Sequence, residues 1–273
     1  MTYIVADIGG TKMRIAASRD LSKLEEPIII DTPENYKAAI GALVMAARDM
    51  AKGGVLEGVV AGLPVLLSPD KQTIIDATNL RDWEGHTFAR DLEDALGARV
   101  IIENDTALVG LGEAVHGAGV GARVLVYVTV STGVNAARIV DRRIDHENHG
   151  VSTGRQYVSM GEEPLPWESI ISGAAIQKKY GKHPKSLGKD TPVWEELARI
   201  TAFGIHNTIL HWYPERVVLG GSMFNEIGIP VERVRYHLEN IRTGYPQIPE
   251  ILHSSLGALG GLWGGIARLK QTE

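Results

Sequence analysis

The chain of 273 residues contains no cysteine. That removes a disulfide framework, a thiolate metal site and a cysteine nucleophile from consideration. Its formal net charge is −5, acidic rather than basic. Nothing in the charge pattern therefore asks for nucleic acid or an anionic membrane as a partner. The N-terminus passes from Tyr3-Ile4-Val5-Ala6 straight to Asp7, too short for the apolar region of a signal peptide. The glycine-rich stretch Leu256 to Ala267 is too short to span a bilayer. Walker and Rossmann fingerprints are missing too, since each needs a glycine loop that opens a helix. Here Gly9-Gly10-Thr11 is followed by strand-like alternation through Arg14-Ile15-Ala16-Ala17. What remains is an ordinary globular composition, 44% apolar and 22% charged, with length for one large domain or two smaller ones. A soluble cytoplasmic protein is expected.

Chemistry concentrates where strands end. The β-branched run Val100-Ile101-Ile102 reads as a buried strand that leads into Glu103-Asn104-Asp105-Thr106-Ala107 and then a helix-like stretch to Val115. In an open α/β sheet, ligands gather at the carboxyl ends of strands. A carboxylate there, Asp105, can accept a proton from a substrate hydroxyl while the amide of Asn104 orients it. Taken alone, the stretch reads as a simple helix cap by Asp105 or Thr106. Tyr3 to Ala6 is a second strand, and Gly9-Gly10-Thr11 forms a tight turn whose backbone N–H groups can point at an anion. A third strand, Val124 to Val130, turns at Ser131-Thr132-Gly133 and returns through Ala136 to Val140. Strand, glycine/threonine turn, strand is one plan used twice. Two such turns facing each other would grip a polyphosphate. Val217-Val218-Leu219 runs into a further glycine turn, Gly220-Gly221-Ser222.

The helices frame these strands. Thr32-Pro33 predicts a helix start and Gly53-Gly54 its stop, with Tyr36, Ile40, Leu43, Ala47 and Met50 on one buried face. Asn79-Leu80-Arg81-Asp82-Trp83 predicts a loop whose mixture of amide, guanidinium, carboxylate and indole suits a sugar or any polar surface. Phe88, Leu92 and Leu96 mark a short helix ended by Gly97. Gly117 to Gly121 is expected to be a flexible joint. It divides the chain into 1–119 and 120–256, with a helix over 257–271 packing back on the first part. His146 and His149 are three apart without further ligands, so a solvated loop is expected there. Trp167 to Tyr180 reads as one helix with Glu168 in its first turn, where a carboxylate favours the positive end. Thr191-Pro192 opens another that runs to Trp212. Pro246 and Pro249 make Ile248 to Leu252 an edge strand, and the glycines of the last helix predict close packing against another element.

Six pieces in order resemble the ROK sugar kinases of the actin and hexokinase superfamily. They are Asp7-Ile8-Gly9-Gly10-Thr11-Lys12, Asn79-Leu80, Asn104-Asp105, Ser131-Thr132-Gly133-Val134, Glu168 to Gly173 and Leu219-Gly220-Gly221. The resemblance covers nearly the whole chain. It implies a two-domain, actin-like (ribonuclease H-like) α/β fold with ATP and sugar in the cleft between the halves. By position Asp105 resembles the family's general base on a primary hydroxyl, and Asn79, Asn104 and Glu168 resemble its sugar contacts. Asp7 is similar to the residue that holds hydrated Mg²⁺. Gly9, Gly10, Thr11, Lys12, Thr132 and Gly133 look like phosphate-side positions, and Gly220 and Gly221 like the adenosine side. The implied activity is ATP-dependent phosphorylation of a hexose or hexose derivative, as in glucokinases, fructokinases or N-acetylhexosamine kinases. ATP and Mg²⁺ are the implied cofactors, a homodimer the expected assembly, and neither nucleic acid nor membrane an expected partner.

The sequence departs from the family in two places. Typical members carry a three-cysteine zinc loop just before the glutamate that Glu168 resembles, whereas Tyr157 to Trp167 is short and has no cysteine, so no zinc is expected. They also carry a Gly-Glu-x-Gly-His stretch, and the nearest match begins at Gly154. Arg155 then stands where a sugar-binding glutamate is usual, and a guanidinium there suits an acidic or otherwise modified sugar. Two alternative readings are a non-catalytic sugar-sensing or regulatory member and an actin-like ATPase. ROK-type repressors carry an N-terminal DNA-binding domain, and a chain beginning at the first phosphate strand is not expected to act that way.

Overall fold

The computed structural model describes residues 1–78, 80–145, 152–159, 163–224, 228–241 and 248–272. The chain divides into two compact units, Met1–Val115 with Ala258–Glu273, and His116–Gly257. Each is built on a mixed five-stranded sheet.

The first unit runs β1 (Thr2–Ile8), β2 (Lys12–Ser18), β3 (Ile28–Asp31), α1 (Tyr36–Ala51), β4 (Leu56–Leu63), β5 (Leu66–Leu67), β6 (Ile74–Asp76), α2 (Phe88–Leu96), β7 (Val100–Asn104) and α3 (Asp105–His116). The chain's last helix, α8 (Gly260–Lys270), completes it. Strand order is β3-β2-β1-β4-β7, with β1, β4 and β7 parallel and the hairpin strands antiparallel. The parallel strands are near-continuous apolar runs because helices cover both faces. Ile4, Ala6 and Ile8 share a core with Leu43 of α1 and Leu92 of α2. The opposite face meets α8, where a Cβ on Gly265 would lie 2.8 Å from Val5 Cγ1. The glycines of α8 also let it touch the backbone of α3: a Cβ on Gly264 would lie 1.8 Å from the Leu108 carbonyl oxygen.

Thr32-Pro33 does not open α1. Asn35 caps it, accepting from the Ala38 N–H, and the helix closes at Lys52 in the left-handed region, φ 52°. Thr32 instead donates its hydroxyl to the Gly9 carbonyl at 2.7 Å, which ties it to the first glycine turn.

The second unit runs β8 (Val124–Val130), β9 (Val134–Val140), β10 (Arg143–Ile144), β11 (Tyr157–Ser159), β12 (Leu165–Pro166), α4 (Glu168–Ile171), α5 (Gly173–Tyr180), α6 (Pro192–Trp212), β13 (Arg216–Gly220), α7 (Val231–Ile241) and β14 (Glu250–His253). Its order, β10-β9-β8-β13-β14, repeats the first sheet's pattern of antiparallel hairpin and parallel strands, with β14 at the edge. The single helix predicted over Trp167 to Tyr180 is broken at Ser172. That residue is extended, ψ 155°, and its hydroxyl caps α5 by accepting from the Ala175 N–H. Serine competes for backbone donors in this way and so favours caps over helix interiors. The Gly117 to Gly121 segment, expected to be flexible, is held by the Arg216 guanidinium, which donates to the Ala118 and Val120 carbonyls at 2.9 Å each. Among the described residues, no helix is long and apolar enough to cross a membrane.

Candidate active site

Asp105 is the first residue of α3 and follows Asn104, the last of β7. The cap of α3 comes from Asn104, whose Oδ1 accepts from the Ala107 N–H at 3.3 Å. Asp105 Oδ1 accepts from the Thr106 N–H at 2.6 Å and its hydroxyl at 3.2 Å. Gly62 on the adjoining strand leaves room for this corner, since a Cβ there would lie 3.3 Å from Asp105 Cα. Asp7, near the end of β1, packs against the first turn of α8, where a Cβ on Gly261 would lie 2.5 Å from Asp7 Cγ. Each residue keeps some exposed surface, while its carboxylate sits deep among protein atoms. Burial, and then the negative charge of Asp7, push Asp105 up to about 7. Burial also raises Asp7 to about 6, opposed by the positive charge of Arg14. A carboxylate raised toward neutrality in this way has the poise of a general base.

The strand end is anchored from behind. Glu103 is buried and lies in ion pairs with Lys71 and Arg268, the latter at 2.8 Å. Neither Glu103 nor Arg14 was singled out as a functional residue from the sequence. Arg14 could have been found by hairpin register, which sets it across from Asp7. The sugar-like loop needs correction. Trp83 is 0% exposed, with its indole N–H donated to the Glu34 carbonyl. Asp82 accepts from Asn35 and the Tyr36 N–H, and Arg81 pairs with Glu84. These three side chains build the unit's own core and surface. Asn79, His146 and His149 lie outside the described residues.

The first glycine turn is closed by the Gly9 N–H donating to the Lys12 carbonyl at 2.8 Å, leaving Gly10 and Thr11 exposed. Lys12 directs its ammonium to Asp31, 2.5 Å away, rather than over the turn. In the second unit, the Ser131 N–H donates to the Gly133 carbonyl at 2.8 Å, and Thr132 is exposed. Glu168 Oε2 accepts from the Val134 N–H at 2.7 Å and would lie 2.7 Å from a Cβ on Gly133. The expected sugar-side glutamate thus rests on the expected phosphate-side turn. Gly154 packs against both, with a Cβ there 2.2 Å from the Val134 carbonyl oxygen and 3.2 Å from Glu168 Cβ. This places Arg155, an exposed residue, next to the same corner. The third turn needs its glycines for space: a Cβ on Gly220 would lie 2.3 Å from Tyr127 Oη, and Gly221 has φ 94°.

A model of the ROK family matches residues 3–272. The chain belongs to the ROK family. Similar proteins include a glucokinase of Streptomyces coelicolor, 22% identical over 96% of this chain and 95% of that protein. A fructokinase of Zymomonas mobilis is 27% identical over 95% and 93%. The structure of a ROK family glucokinase from Streptomyces griseus in complex with glucose and AMPPNP matches with a TM-score of 0.82 over the whole of both chains, at 22% identity. The fold is the two-domain, actin-like α/β fold of these proteins.

Proposed function

We propose that this ROK protein transfers the γ-phosphoryl group of ATP to a primary hydroxyl of a hexose or hexose derivative, with Asp105 as general base. The observation that carries this reading is the buried Asp7–Asp105 pair at the strand ends, with Asp105 raised to about 7. The names of the similar glucokinase and fructokinase support the substrate class. Phosphoryl transfer asks for positioning and charge neutralisation more than for covalent chemistry. Asn104 and Glu168 orient the sugar, and Asp105 takes the proton from the attacking hydroxyl. The turns at Gly9 to Thr11 and Ser131 to Gly133 present backbone to the phosphates, with Gly220 and Gly221 on the adenosine side.

Magnesium fits this donor set. Mg²⁺ keeps several waters and takes one or two carboxylates with substrate phosphates, and Asp7 is a single carboxylate beside the first turn. When bound, the ion would neutralise charge on the phosphoryl oxygens. Arg155, beside Glu168, makes a sugar bearing an anionic group the preferred substrate, because a guanidinium pairs with carboxylate or phosphate in a bidentate fork.

A panel of neutral and acidic hexoses with ATP and Mg²⁺, read by ADP release, tests the reading. Sugar-dependent turnover is expected, lowered by roughly 10²–10⁴-fold in Asp105→Asn. Near-normal turnover in that variant would leave Asp105 without the role. Glucose used as well as any acidic sugar would remove Arg155 from the pocket.

A further inference from the structure

Arg14 stands directly across from Asp7 in the antiparallel β1–β2 ladder. Directly paired residues project from the same face, with Cβ atoms about 4.5–5.5 Å apart. The positive charge of Arg14 acts on Asp7, yet an ion pair does not use up this side chain. Its Nε is buried and finds no hydrogen-bond partner among the described residues. A guanidinium offers five donors in a rigid fork, and a buried donor left unpaired costs free energy. A donor of this kind invites an explanation, and a ligand that completes it is one. The surroundings name the ligand's chemistry. Asp7 and Asp105 set two buried carboxylates at the place where the proposed reaction must bring a phosphoryl group. An anion arriving there needs a fixed cation of this chain's own.

Resting on the kinase reading above, we propose that Arg14 is a catalytic residue whose guanidinium, through Nε–H, holds an oxygen of the phosphoryl group in flight. In that step the sugar hydroxyl oxygen forms a bond to the γ-phosphorus and the bond to the bridging oxygen of ADP breaks. The hydroxyl proton goes to Asp105, and Arg14 ends as it began. Its hydrogen bond strengthens as charge spreads over the equatorial oxygens.

Steady-state kinetics of Arg14→Met and Arg14→Lys, alongside thermal unfolding, test this. Losing a donor that acts on the transition state lowers kcat and kcat/KM together, here by about 10²-fold or more for Arg14→Met. Lysine keeps the charge without the fork, so Arg14→Lys should recover part of the rate at an unchanged melting temperature. Free guanidinium added to Arg14→Ala should raise kcat, which a purely structural role would not produce. Wild-type turnover in Arg14→Met, or in Arg14→Lys if the methionine variant does not fold, would overturn the proposal and reduce Arg14 to a counter-charge for Asp7. If the wild-type protein itself shows no sugar-dependent ADP release, the kinase reading fails, and this inference with it.

Discussion

Asp105 holds the largest electrostatic strain on the proposed catalytic side, and that strain has a sign. An aspartate in an unfolded chain titrates near 4, and burial beside Asp7 lifts Asp105 to about 7 in the fold. Between those values the native state keeps a proton that the unfolded state has released, so stability falls as pH rises through the window. Below it both states are protonated and the penalty vanishes. Asparagine carries no such penalty at any pH and can still accept from the Thr106 N–H. Asp105→Asn should therefore raise the thermal midpoint relative to wild type more at about pH 8 than at about pH 4. Scanning calorimetry of the metal- and nucleotide-free protein measures the difference. An offset independent of pH would mean that the carboxylate is not strained by its surroundings. In the working enzyme the same titration should appear as loss of kcat/KM on the acid side near neutrality.

The segment from α4 to α5 acts as a strap across the β8–β9 turn. Glu168 accepts from the Val134 N–H, and the Gly173 and Ala174 N–H groups donate to the Ser131 and Thr132 carbonyls at 2.7 and 3.4 Å. A side chain expected to touch the sugar thereby fixes a turn expected to touch phosphate. Glu168→Gln keeps an acceptor for Val134, whereas Glu168→Ala removes it; both remove the charge. Nucleotide affinity should be weaker in the alanine variant, by about 0.5–1.5 kcal/mol for one hydrogen bond. Calorimetry with a non-hydrolysable ATP analogue reads this, and equal affinities in the two variants would show that the strap does not set the turn. Such a contact spans 34 positions and no local pattern announces it. What was legible was local: apolar runs that become strands, glycine turns after them, and an acid at a strand's carboxyl end. Arg14 was hidden because a one-residue slip of register would have turned it to the other face. Trp83 misled because a polar loop's composition does not say which of its side chains is buried. The break at Ser172 required knowing that its hydroxyl is used as a cap.

The molecule as a whole uses one sheet plan twice and holds both copies by packing, in a chain of 273 residues with no cysteine. A structural zinc site needs four ligands, usually thiolates and imidazoles, in tetrahedral array. In the segment before Glu168, where no zinc is expected, packing and hydrogen bonds hold the described residues. The β11–β12 hairpin is continued by the Trp167 N–H donating to the Gln156 carbonyl at 2.7 Å, and Gln156 Nε2 reaches the Gly204 carbonyl of α6 at 3.3 Å. The Trp167 ring is fully buried on α6, where a Cβ on Gly204 would lie 2.2 Å from its Cε2. That contact seats Trp167 immediately before Glu168, so the packing that holds this segment also aims the carboxylate. Purified protein should then carry no stoichiometric zinc, and activity lost to a chelator should return on adding magnesium alone. Gly204→Ala, which drives a methyl group into the indole, should cost about 1–3 kcal/mol as an overpacked core does, with or without added zinc. Elemental analysis showing one tightly bound zinc per chain, or stability of Gly204→Ala equal to wild type, would mean that something other than Trp167 on α6 holds this segment in place.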